Sequence, residues 1–156
     1  MIDRRVFVTH GLALATWPAW AHHGWSSFDQ ARPLYLEGHA AKVAWRNPHA
    51  EMELDLAAEL KLPADLATRP LPAQSAGVDG PALLKAASLP TRKDRRWQVE
   101  LAPLTRMDAW KVPEIKAGDS VALLGFTFTG EKGDAVLRAE YLFFGGKTYG
   151  LRSAPA

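Results

Sequence analysis

Residues 49–56, HAEMELDL, alternate without a break. Ala50, Met52, Leu54 and Leu56 fall on one side, and His49, Glu51, Glu53 and Asp55 on the other. A period of two with one apolar side predicts a half-buried strand, and it starts His49 on the polar, acidic side. Residues 35–45 predict a strand before it. The turn between them is RNPH: Asn47 precedes a proline and is steered out of the helical region, and Pro48 presets a turn. Residues 97–101 predict a third strand, 120–128 a fourth and 135–144 a fifth. Gly125 inside the fourth marks a bulge or a corner. PLTRMDAW, residues 103–110, suits a short helix, IKAGD a turn, and GGKTYGL closes the domain.

Residues 57–95 break this periodicity with Pro63, Pro70, Pro72, Pro81 and Pro90, and with Gly77 and Gly80. A connection this long reads as an insertion in one hairpin, with at most short helices such as 81–88. The order strand, strand, strand, short helix, strand, strand is that of a five-stranded OB-type barrel, with the helix as its plug. The predicted fold class is therefore all-β, an OB-like barrel with one short helix. An open β-sandwich or meander with one helix is the alternative.

The first 21 residues, MIDRRVFVTHGLALATWPAWA, read differently. Two arginines are followed by a modest apolar stretch and then by Ala19-Trp20-Ala21, the layout of a cleavable export signal. The apolar part is too short, and too interrupted by Thr9, Gly11 and Pro18, to span a bilayer. Arg4-Arg5-Val6-Phe7-Val8 fits the twin-arginine form of such signals, although a Sec signal also carries basic residues. Cleavage between Ala21 and His22 leaves one domain, residues 22–156, in the periplasm. No second apolar run reaches membrane-spanning length.

Composition narrows the partners. The formal charge is +2 over 156 residues, and Asp3, Arg4 and Arg5 take about one unit of it away with the signal. That excludes a nucleic-acid binder, whose face would be visibly basic. The run Arg92-Lys93-Asp94-Arg95-Arg96 is a solvated loop. The chain has no cysteine, so it has no disulfide and no thiolate ligand. Any metal must be held by histidine, carboxylate, methionine or the terminal amine. Met52 and Met107 fit core packing better than thioether ligation, and His39 reads as structural or exposed.

Five stretches together resemble a family: AHHGWSSFD, YLEGHAAKVAWRNPHAEMEL, WQVELAPLTRMDAW, IKAGDSVALLG and GGKTYGL. They look like a family of small exported bacterial proteins known as a domain of unknown function. Its pattern is a mature His-His start, an Asn-Pro-His turn, Trp-x-x-Glu, a short helix ending in Trp, and Pro-Gly-Asp before a strand. The resemblance spans nearly all of residues 22–156 except 57–95. Here Ala109-Trp110 stands for the family's Gly-Trp, and Lys-Ala-Gly-Asp for Lys-Pro-Gly-Asp. On this resemblance His22, His23, Asn47, Pro48, His49, Trp97 and Glu100 occupy motif positions. An exported single domain is implied, and no activity.

Cleavage after Ala21 gives His22 a free amine beside its imidazole, a pair that chelates copper. His23 and His49 are the remaining candidate nitrogen ligands. His49 lies past the far end of the first strand, so the chain start reaches it only by returning along the barrel. The adjacent histidines can also hold copper(I) alone in near-linear geometry. Glu51 and Glu53 are candidates to orient His49 or supply an oxygen, and Asn47 and Glu100 complete the possible outer shell. No Gly-x-Ser-x-Gly, phosphate loop or His-Glu-x-x-His appears, and no catalytic residue is assigned. The expected role is copper carriage or delivery, with a periplasmic or membrane-bound protein as partner. The alternative is a metal-free barrel that binds a protein or oligosaccharide, with Trp25, Trp45, Trp97 or Trp110 as platforms.

Overall fold

The structure, a computed structural model, describes residues 24–156. The expected signal and cleavage site, the twin-arginine pair, and His22 and His23 lie outside the described residues. Six strands and two short helices follow: β1 Leu34–Ala44, β2 Glu51–Leu56, α1 Gly80–Ala86, β3 Arg96–Glu100, α2 Leu104–Ala109, β4 Ser120–Phe126, β5 Val136–Phe144 and β6 Lys147–Gly150. The sheet order is β3-β2-β1-β4-β5-β6, and β3 also pairs with β5. That last pairing is parallel, and it closes the first five strands into a barrel of OB type. β6 is one strand more than the pattern predicts. Gly145 and Gly146, both at positive φ, turn β5 back on itself so that Lys147–Gly150 pairs with its end.

The predicted alternation of β2 holds. Met52 and Leu54 are buried, while Glu51 and Glu53 face outward and are half-exposed. The barrel interior is filled from every strand by Leu34, Leu36, Met52, Leu54, Trp97, Val99, Leu123, Leu137 and Ala139, and α2 plugs one end with Met107. Methionines 52 and 107 are core residues, as their context predicts. Trp97 is wholly buried, so it is excluded as a surface platform; its place in the alternation of β3 beside Val99 turns it inward.

Glycine marks the tightest points of the closed sheet. A Cβ at Gly38 would stand 1.9 Å from the Asp55 carbonyl oxygen, and one at Gly125 would stand 2.3 Å from that of Arg138. Both strands are bent hard against a neighbour at these places, and no side chain fits. The register shift beside Gly125 leaves Glu140 as the extra residue, on β5 between Ala139 and Tyr141. Gly125 thus sits at a bulge as predicted, but the surplus residue belongs to the partner strand.

Residues 57–95 pack on the outside of the barrel. Leu66 and Leu84 join Tyr35, Leu124 and Tyr141 in a second apolar cluster. α1 has the predicted proline start, and the Asp79 carboxylate accepts from the Ala82 amide at 3.0 Å. The segment is also latched to the last residues of the chain. Ser75 N donates to Ala154 O, Ala156 N to Ala73 O, and Ala76 N to the Ser153 hydroxyl.

A buried carboxylate fixes the other edge. Glu131 accepts from the amides of Thr91 and Arg92, each at 3.0 Å, from the Thr91 hydroxyl, and from the Arg32 guanidinium. Burial alone would raise its pKa. The amides of Thr91 and Arg92 and the Arg32 guanidinium outweigh that and hold it at about 2, from 4.5. Three separate segments meet on this one side chain. A depressed carboxylate stabilises the fold above its unfolded pKa and loses that contribution as pH falls through the folded value. The fall from 4.5 to about 2 corresponds to about 3 kcal/mol. Glu131→Gln is expected to lower stability by about that amount at pH 7. The gap between the two proteins should narrow between pH 4.5 and about 2 in urea titrations run at several pH values.

Candidate functional site

Strand register assembles one outward row across the barrel. Ala44 on β1 faces Glu51 on β2, Glu51 faces Glu100 on β3, Glu100 faces Arg138 on β5, and Arg138 faces Phe126 on β4. Phe126 lies next to Gly125, which pairs with Leu34. The row therefore leaves β1 at its last residue and returns at its first. This is the stagger that closing a barrel imposes. It brings the two ends of an eleven-residue strand to the same outward belt.

Glu100 and Arg138 form the centre of the row. Both are about 95% buried, and Arg138 Nη1 donates to Glu100 Oε2 at 3.1 Å. Among the described residues Arg138 Nε meets no acceptor. Trp25 covers this pair. Its ring lies 5.0 Å from the Arg138 guanidinium and 3.7 Å from that of Arg152, with Phe126 against it edge-on at 6.3 Å. A large aromatic face held by two guanidiniums is a strong cation–π arrangement. Arg152 is held in turn by Glu140, the fully buried bulge residue, at 2.6 Å, and by Gln30 at 2.8 Å. Arg106 stands close by and donates to Leu151 O; burial and the neighbouring Arg138 charge keep its pKa below the ordinary value.

His49 belongs to the same face. Ala50 N donates to Ala102 O and Leu101 N to Ala50 O, so the β2–β3 ladder continues past Glu51. Two residues before Glu51, His49 keeps its outward side and is half-buried. The structure thus brings His49, Glu51 and Glu100 onto one surface, with Trp25 two strands away. Glu51 makes no ion pair among the described residues. Glu53 points the same way but is engaged by Arg96 at 3.2 Å and Lys42 at 4.0 Å. The Asn47–Pro48 peptide is cis, and Asn47 Oδ1 accepts from the Leu104 amide at 3.3 Å, at the start of α2. His39 is exposed on β1, on another part of the barrel. Trp45 and Trp110 are half-buried, and Trp110 Nε1 donates to Ser153 O. The basic run at 92–96 is exposed at Lys93, Asp94, Arg95 and Arg96, as a solvated stretch should be, and makes surface contacts: Arg92 pairs with Asp94, Arg95 bonds the carbonyls of Leu56 and Ala57, and Arg96 grips Asp55 with two donors.

Among the described residues no three His, Asp or Glu side chains form a metal-binding group, and His49 is the one described member of the predicted ligand set. Sequence reasoning missed Arg138, Glu140 and Arg152. Its signal was there: AVLRAEYLFF places an arginine and a glutamate inside an otherwise apolar run, and buried charges of that kind come with partners.

The class of protein is thus an OB-type β-barrel with a charged, tryptophan-covered belt. Residues 11–61 match a family described as "Family of unknown function (DUF6152)". The match covers about a third of the chain and contains His22, His23 and the Asn47-Pro48-His49 turn. No curated protein and no solved structure matches.

Removing one partner of a buried ion pair leaves an uncompensated charge and costs about 3–5 kcal/mol. Arg138→Ala is expected to cost that much in urea unfolding. Combining Glu100→Gln with Arg138→Met should recover most of the loss. If the double variant is as unstable as the single one, the pair is not the source of the effect.

Proposed function

We propose that this chain is an exported copper carrier. His22, through its amine and ring, together with His23 and His49, holds the ion over the outward face of β2. The observation that supports this is the seat of Trp25, two residues after His23. Because Trp25 rests on Arg138 in the belt that contains Glu51, the chain need not run back along the barrel. Arg138 and Glu51 are two strands apart, about 10 Å, and His49 lies about 7 Å further along β2, so its Cα is about 12 Å from that of Arg138 and the side chains cover the remainder. The two or three residues from Trp25 back to His23 and His22 extend about 7 to 10 Å. The donor chemistry fits: an amine and imidazoles are nitrogen ligands that suit copper(II), which tops the divalent affinity order. Glu51 supplies an anionic neighbour, and Arg138 does not oppose a cation because Glu100 already neutralises it. The role is carriage of the ion to a periplasmic or membrane-bound protein.

The test starts with the full precursor. The periplasmic product should begin at His22 by intact mass and carry one copper. Residues placed ahead of His22 should weaken copper(II) binding by about tenfold or more in calorimetry, and His49→Ala should do the same. Ligands bind deprotonated, so affinity should fall as pH drops from about 7.5 to 5, through the ordinary values of an α-amine and of histidine. Equal binding by the extended and native termini removes the amine from the ligand set. Binding no tighter than that of an unfolded histidine peptide overturns the carrier reading.

A further inference from the structure

A second polar site lies away from this belt, over the outward residues of β1 and β4. It is an open cleft of about 510 Å³, within the size range of small-molecule sites. Arg69 and Pro70 of the long connection form one wall, and the β5–β6 hairpin at Phe143 and Lys147 forms the other. Its polar groups are held from behind. The Tyr35 hydroxyl donates to Glu37 Oε2 at 2.6 Å and also interacts with Arg69. Burial, and then the Glu37 carboxylate, push that hydroxyl above its ordinary pKa, so it remains a donor. Arg69 donates to both Asp65 oxygens, at 2.9 and 3.3 Å, and lies over the Phe143 ring at 5.0 Å. Asp65, Arg69, Tyr35 and Glu37 form one fixed chain of donors and acceptors beside an apolar wall.

Charge decides what such a cleft prefers. Asp65 cancels Arg69, and Lys147 balances Glu37, so the lining gives no net field to gather an anion or a cation. What it offers is acceptors and donors side by side, next to a surface made by Phe143, Pro70 and Ala122. A ligand with hydroxyls around its edge and an apolar ring face matches that surface. We infer that this cleft binds a neutral carbohydrate, a mono- or disaccharide. The inference does not depend on copper: it uses different strands and none of the proposed metal ligands.

The experiment is a titration of the ¹⁵N-labelled protein, residues 22–156, with maltose, cellobiose and N-acetylglucosamine, and with galacturonate as the charged counterpart. At least one neutral sugar should give saturable shifts at the amides of Glu37, His39, Ala122 and Thr148, with a Kd of about 1 mM. Glu37→Gln and His39→Ala should each weaken binding by about fivefold or more. His39 is exposed and outside the Asp65–Glu37 chain, so its replacement leaves the fold intact and keeps the test valid if Glu37→Gln unfolds. No saturable shift by any neutral sugar up to about 20 mM, well past the millimolar range, overturns the proposal. Binding by galacturonate alone, or shifts confined to residues outside the cleft, does so too.

Discussion

The parallel pairing of β3 with β5 is the constraint on which the other features rest. A sheet closes on itself only with its strands staggered, and the stagger here returns the hydrogen-bonded row to β1 about ten residues from where it left. Gly38 and Gly125 are the positions where the bent strands come too close for a side chain. The two ends of β1, far apart along the strand, therefore share one belt of the outer surface. The residues leading into β1 and the turn leading out of it therefore lie over the same belt, with Trp25 on β5 and His49 at the start of β2. Trp25 and His49 owe their common face to this closure.

Three buried carboxylates do a second job: two tie remote segments to the barrel, and the third anchors the arginine on which Trp25 rests. Glu131 holds Arg32 and the Thr91-Arg92 amides, Glu140 holds Arg152, and Glu100 holds Arg138 beneath Trp25. Buried ion pairs contribute little net stability against an apolar replacement, but they are unforgiving about partners. Their effect here is to specify where irregular segments lie. Residues 24–33 contain a single short turn of helix, yet Trp25 between two guanidiniums and Arg32 on Glu131 leave them few alternative paths.

Much of the barrel was legible in the sequence because one-sided alternation is a local signal. HAEMELDL gave β2 its faces, and the order of strands around PLTRMDAW pointed to the plugged barrel. What could not be read was produced by closure. Nothing local in residues 24–33 announces that Trp25 will lie against Arg152, which is more than a hundred residues away. Trp97 shares its side of β3 with Val99, but that this side is the inner one follows only from the pairing with β2 and β5. That Trp25 lies on Arg138, two strands from the start of β2, follows from the stagger and from no spacing along β1. Arg138 and Glu140 were visible as charges in an apolar run, but their partners were not. Asn47 was legible as a turn residue, but its bond to the start of α2 depends on a helix that begins almost sixty residues later.

The latch between residues 73–76 and 153–156 has a consequence for how the molecule comes apart. The middle of the chain is finished by hydrogen bonds from its last few residues, and the barrel is finished by strands that are also far apart in sequence. Loops this long must close before any of these contacts can form. Assembly is therefore dominated by non-local pairing, which places it among the slower-folding topologies. A fragment holding residues 57–95 alone would lack both the latch and the Tyr35, Leu124 and Tyr141 surface beneath it. Loosening residues 153–156 would free only the stretch around 73–76, because Leu66 and Leu84 still pack on Tyr35, Leu124 and Tyr141, Ser88 still pairs with Pro33 and Tyr35, and the Thr91 and Arg92 amides stay on Glu131. The outer layer is therefore fastened to the wall formed by β1 and β4 at several independent points, of which the C-terminal latch is one.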